Sequence, residues 1–141
     1  TNLLAVDWAK KVEELGAGEI FLNSIDRDGS KKGYDNTLIK LVSDAVSIPV
    51  IACGGVGDFS HFSSGISEGG ASAVAAGNIF HYIEHSTIVA KMNLLQSGID
   101  IRMDSEATYE GRQFDETGRL MMMSGKDLSK IELTKGSKDI I

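Results

Sequence analysis

The chain has 141 residues, 42% of them hydrophobic, with a formal net charge of -6 at pH 7, which is enough apolar material for one domain with a real core and argues against disorder as a whole. The acidic balance speaks against nucleic acid or an anionic membrane surface as the main partner, and no apolar stretch is long enough to span a bilayer. Cys53 is the single cysteine, so there is no disulfide framework and no multi-thiolate metal site, and the cytoplasm is the natural compartment. The first residues lack a signal-peptide layout, and the sequence opens in mid-pattern without Met, as a fragment or a processed chain would.

In chain order, Leu4, Trp8, Val12 and Leu15 fall on one helical face and Gly16 supplies a stop, so an amphipathic helix leads. Ile20-Phe21-Leu22 is a short apolar run between glycines and polar residues, the pattern of a buried parallel strand. Asn23, Ser24, Asp26 and Asp28 follow at its carboxyl tip, and Gly29 allows the backbone to approach a ligand and offer an N–H to an anion. Taken alone, this acidic stretch also fits a solvated Asx turn. Asp35 or Asn36 then caps a helix with Leu38, Ile39, Val42, Ala45 and Val46 on its apolar face.

Pro49 opens a second strand that runs through Cys53 into Gly54-Gly55-Val56-Gly57. Asp58 caps a shorter helix with Phe59, Phe62 and Ile66 inward, ended by Gly69-Gly70. A third strand, 73–76, runs straight into Gly77-Asn78. The spacing predicts a short helix from Asn78 to Tyr82 and another capped by Ser86, with Ile88, Val89, Met92 and Leu95 inward and Gly98 as its stop. From Met103 onward no clear period survives, and a helix near Lys126 to Lys130 with short extended pieces is expected. The order is therefore a helix followed by three strand–helix units, an α/β class with a parallel sheet.

Gly54-Gly55 and Gly77-Asn78 would bring two sets of backbone N–H groups to one rim. In (βα)8 barrels the loops after strands seven and eight, with the start of a short extra helix, commonly hold a phosphate. Asp28 is the candidate for acid/base work, since a carboxylate at a strand tip can be tuned by its surroundings; Asp26 reads as a loop-fixing residue. Lys31 and Lys32 either close over a phosphorylated ligand or are simply solvated. His81 and His85 stand four apart, but without convincing further ligands no metal is expected. His61 reads as a surface histidine, Cys53 as a small packing residue and Met121 to Met123 as packing or interface.

With these residues laid out, Thr1 to about Arg102 resembles the carboxyl-terminal half of the cyclase subunit of imidazole glycerol phosphate synthase, through GAGEIFLNSIDRDGSKKGYD, IPVIACGGVGDFSHF, AAGNIFHY and GIDIR. The resemblance implies a partial (βα)8 TIM barrel over residues 1–102 and a C-terminal extension over 103–141. It implies an enzyme, a lyase that takes ammonia from a glutaminase partner and uses no cofactor. Its substrate would be a bisphosphorylated ribulosyl aminoimidazole carboxamide nucleotide, and its products imidazole glycerol phosphate and aminoimidazole carboxamide ribonucleotide, in histidine biosynthesis. By the same resemblance Asp28 matches the catalytic acid, while Gly29, Gly54, Gly55, Gly77 and Asn78 match surroundings of a substrate phosphate. Asn23 and Ser24 match pocket-lining positions, and Glu19 matches one member of the ring through which ammonia enters.

Strands one to five of such a barrel are missing, and with them a second carboxylate and a second phosphate site, so this chain alone is expected to be inactive. Its uncovered inner face predicts self-association or pairing with a missing half barrel. The tail, Cys53 and Asn78 also resemble a branch of the family found with surface-polysaccharide genes, which implies an ammonia-channelling subunit for sugar amidation as an alternative. A half barrel that binds phosphate without turnover is the third reading.

Overall fold

The computed structural model describes residues 2–81, 85–103 and 113. The chain divides into two compact units, Thr1–Asp104 and Ser105–Ile141, and every element below belongs to the first. The expectations for Tyr82, for Met121 to Met123 and for a helix near Lys126 lie outside the described residues.

Helix α1 (Ala5–Glu14) leads into strand β1 (Ile20–Asn23), followed by α2 (Asn36–Ser43), β2 (Val50–Cys53), α3 (Ser60–Ser67), β3 (Ala73–Val74), a short 3-10 helix (Asn78–His81) and α4 (Ser86–Gln96). The three strands form one sheet in the order β1-β2-β3. Both pairings are parallel, with Phe21 opposite Ile51 and Ile51 opposite Ala73. Three successive strand–helix units on such a sheet make an arc of a (βα)8 barrel, as expected from the sequence.

Side chains alternate across a strand, so the sheet has two unlike faces. Ile20, Leu22, Val50, Ala52 and Val74 pack into the apolar clusters under the helices. Phe21, Ile51, Cys53 and Ala73 share the opposite face. Phe21 is 61% exposed, so β1 is buried on one side only, contrary to the fully buried strand expected from Ile20-Phe21-Leu22. The described chain places no layer over that face.

The core has two parts. Val42 and Val50 are the largest fully buried side chains; with Ala9 they hold α1 and α2 against the sheet. The other cluster joins Tyr34, Ile39, Ala52, Phe62, Ala90 and Leu94. Glu13 adds a polar tie, accepting from the Ser47 N–H and hydroxyl, bonds that hold its carboxyl below the usual range.

Helix ends largely follow local chemistry. Asp35 caps α2 by accepting from the Leu38 N–H at 3.0 Å. Asp58 accepts from the Ser60 N–H at 2.8 Å at the head of α3. At the tail of α4, Gly98 donates to Leu95 O and Ile99 to Leu94 O, with Gly98 at φ +78°, the paired bonds of a Schellman stop.

Two helix faces differ from the sequence expectation. Leu4, Trp8 and Leu15 are 70%, 52% and 72% exposed, and α1 instead docks through Val6 and Ala9. In α4 the buried residues are Ser86, Ala90 and Leu94, while Val89, Met92 and Leu95 are exposed. The buried faces are thus Val6 and Ala9 in α1 and Ser86, Ala90 and Leu94 in α4, and several other apolar residues are left on the flanks. Ser86 is accordingly a helix residue rather than a cap, and His85 holds the cap position in a left-handed conformation. Ala45 and Val46 lie beyond the end of α2, although Val46 still packs on the Val42 cluster.

Candidate functional site

Parallel pairing brings the carboxyl ends of β1, β2 and β3 side by side. The β1–α2 loop folds back over the other two. Ser24 donates its N–H to Cys53 O at 3.2 Å, and its carbonyl accepts from the N–H groups of Arg27 and Asp28 at 3.1 and 2.9 Å. These bonds turn the chain immediately after the strand. At the far end of the loop, Gly33 N–H donates to Gly55 O at 2.8 Å, and the Tyr34 hydroxyl donates to Ala75 O at 2.8 Å.

Gly55 is required by this seating. It stands at φ +101°, and a Cβ there would overlap the Gly33 carbonyl oxygen. Gly77 is different: its backbone is not left-handed and a Cβ would meet nothing within 4 Å. Neither strain nor protein packing calls for glycine at Gly77, and a side chain there would project into open space.

A small hollow of about 40 Å³, open at its mouth, lies between the three tips. Asp28, Gly29 and Lys31 line it from the first loop, Cys53 to Val56 from the second, and Ala76, Gly77 and Asn78 from the third. The backbone N–H groups of Gly55, Val56, Gly77 and Asn78 have no acceptor among the described residues. Backbone amides without an acceptor at neighbouring strand tips suit an anion, and Lys31 is the cationic residue among those that line the hollow.

The electrostatics fit a partly enclosed site. The Cys53 thiol is pushed up chiefly by burial; the Gly54 N–H opposes this and the Asp28 carboxylate adds to it. The Asp28 charge is therefore felt inside the hollow. Tyr34 is pushed above the ordinary phenol range by burial, with Cys53 adding to the effect.

Among the residues singled out in the sequence, Asp28, Gly29, Gly54, Gly55, Gly77 and Asn78 meet at this hollow. Ser24 does not line it; it is 7% exposed and serves the turn through its backbone. Asn23 sits below it, its Oδ1 2.7 Å from where a Gly54 Cβ would stand. Glu19 is exposed just before β1, at the opposite end of the strand. Asp26 is exposed and fixes nothing by a hydrogen bond among the described residues. Lys32 lies outside the lining.

Three residues carry more than the sequence suggested. Cys53 faces the hollow and is half-buried rather than a packing residue. His61 is a loop brace: its Nδ1 accepts from the N–H groups of Gly57 and Asp58 at 3.2 and 3.3 Å, and its ring lies against Gly33. Tyr34 was signalled only by being aromatic amid a polar loop.

A family model described as "Histidine biosynthesis protein" matches residues 1–86. The chain belongs to that family. Within the histidine biosynthesis family, a Vibrio vulnificus (strain YJ016) protein named "Putative imidazole glycerol phosphate synthase subunit hisF2" is 53% identical over 114 residues, covering 81% of this chain and 42% of the relative. The likeness to the cyclase subunit read from the motifs is thus upheld, and the chain spans well under half the length of that relative. A solved structure titled "Crystal structure of Amycolatopsis orientalis BexX/CysO complex" is similar at 20% identity with a TM-score of 0.49, covering 71% of this chain and 44% of the other. No described helix is long and apolar enough to cross a membrane.

Proposed function

We propose that this chain supplies the phosphate-gripping and acid-bearing strand tips of an ammonia-dependent cyclase and lyase of the imidazole glycerol phosphate synthase type. The observation that carries the reading is one hollow lined by Asp28 and by Gly55, Gly77 and Asn78, whose amides have no acceptor among the described residues. One phosphate of a bisphosphorylated ribulosyl aminoimidazole carboxamide nucleotide rests on those amides, with Lys31 as counter-charge. Asp28 then exchanges protons with the part of the substrate that closes into the imidazole ring. Asn23 and Ser24 support the tip from below, and Glu19, at the opposite end of β1, belongs to the side from which a glutaminase subunit delivers ammonia. The second carboxylate and second phosphate site lie outside this chain, which alone turns nothing over.

The test is the full-length protein supplied with ammonia and the nucleotide. Asp28→Asn is expected to lower kcat by at least about a hundredfold, the usual worth of a general acid or base, with phosphate binding retained. Unchanged turnover in this variant would remove Asp28 from the chemistry.

One observation favours a second reading. Cys53 and Asn78, two of the features that resemble the surface-polysaccharide branch, both line the hollow. In a sugar-amidation system the barrel would conduct ammonia and the acid would matter less. Failure of the full-length gene to rescue a histidine auxotroph lacking this subunit would favour that assignment.

A further inference from the structure

Tyr34 joins two sides of the site and is the only side chain of the acidic loop to do so through a hydrogen bond among the described residues. Its residue is 4% exposed. The ring lies edge-on to Phe62, centroids 6.5 Å apart, and a Cβ on Gly65 would stand 2.8 Å from its Cδ2, so α3 gives up a side chain where the ring sits. The hydroxyl donates to Ala75 O at 2.8 Å, across 41 positions of sequence. Ala75 stands two residues before Gly77. The preceding residue, Gly33, donates to Gly55 O. Two consecutive residues therefore fasten the Asp28 loop to the tips of both other strands.

A phenylalanine would serve the packing as well, since Phe59, Phe62 and Phe80 already stack there. A buried hydroxyl adds little net stability once its lost hydration is counted. What the hydroxyl does add is direction, because it bonds one particular carbonyl at the foot of the third tip. We propose that Tyr34 is a positioning residue, whose bond to Ala75 sets the Asp28 loop against the Gly55 and Gly77 amides. The proposal rests on the phosphate-and-acid reading of the hollow given above.

The test uses the full-length protein with Tyr34→Phe, inorganic phosphate as the probe, and the pH midpoint of alkylation of the Cys53 peptide read by mass spectrometry. Phosphate is expected to bind about three- to tenfold more weakly, the worth of one misplaced hydrogen bond. Asp28→Asn should lower the Cys53 midpoint in the parent protein, and most of that displacement should vanish in the Tyr34→Phe background, where the carboxylate is no longer held nearby. Val42→Ala, in the separate core cluster, should lower thermal stability while leaving both readouts in place. Unchanged phosphate affinity together with a full Asp28–Cys53 coupling in Tyr34→Phe would reduce Tyr34 to packing. A parent protein that does not bind phosphate would overturn the reading of the hollow, and the Cys53 coupling would still decide the role of Tyr34.

Discussion

Gly55 and Gly77 follow neighbouring strands, yet they are glycines for different reasons. Gly55 combines φ +101° with a backbone neighbour where its Cβ would be, whereas Gly77 has ordinary backbone and open space. Gly55→Ala should therefore cost about 1–3 kcal/mol or more through strain and forced movement of the loop, seen as a drop in thermal midpoint by calorimetry. Gly77→Ala should leave that midpoint nearly unchanged and weaken phosphate binding, because its methyl group takes ligand space. Both glycines were legible as strand-tip markers, but the difference between them was not. It depends on Gly33, which returns from a distant part of the loop. Tyr34 was hidden for the same reason, since its acceptor is 41 residues away.

Tyr34 also gives a pH prediction. Its folded-state pKa is raised above the ordinary value of 10.0, chiefly by burial, so the folded protein holds the phenolic proton more tightly than the unfolded chain. That contribution to stability is fully present below about pH 10 and is lost as pH rises through the folded value. Tyr34→Phe should flatten the alkaline fall of stability in urea titrations above about pH 10, and an unchanged alkaline limb would contradict the burial of this hydroxyl.

At the scale of elements, starts and stops were more legible than faces. Asp35 before α2 and Gly98 after α4 act through bonds to residues three to five positions away, so the local sequence contains both partners. Asp35→Ala should cost about 1 kcal/mol, the usual worth of an N-cap, measurable as a lower urea midpoint with unchanged m-value. Helix faces depend on what lies opposite. Periodicity picked out Leu4, Trp8, Val12 and Leu15 in and around α1; Val12 is half-buried, but the sheet side is taken by Val6 and Ala9, which pack with Val42 and Val50. In α4 the buried face is likewise displaced, to Ser86, Ala90 and Leu94. The three strands were readable from their apolar runs and flanking glycines, though the third covers only Ala73–Val74 of the expected 73–76 and the second begins at Val50 rather than Pro49.

The described unit as a whole packs one face of its sheet under helices and leaves the other face open. Phe21 at 61% exposure and, on the leading helix, Trp8 at 52% are large apolar groups without cover. Strands β1 and β3 each pair on one side only among the described residues, which leaves unpaired edges. The 141-residue chain by itself is therefore expected to self-associate, as judged by light scattering after gel filtration. Phe21→Ser with Trp8→Gln should shift it toward monomer and reduce binding of a hydrophobic dye. A monodisperse monomer before mutation would mean that the open face does not drive association.

The fastening of the first loop by Gly33 and Tyr34 has a consequence for how such a site can diversify. Both attachment points lie beyond the segment from Asp28 to Lys31, so the far end of the loop stays put when a side chain in that segment changes, within the limits set by the left-handed backbones at Gly29 and Lys31. New ligands become accessible by small steps, each tested on an intact scaffold.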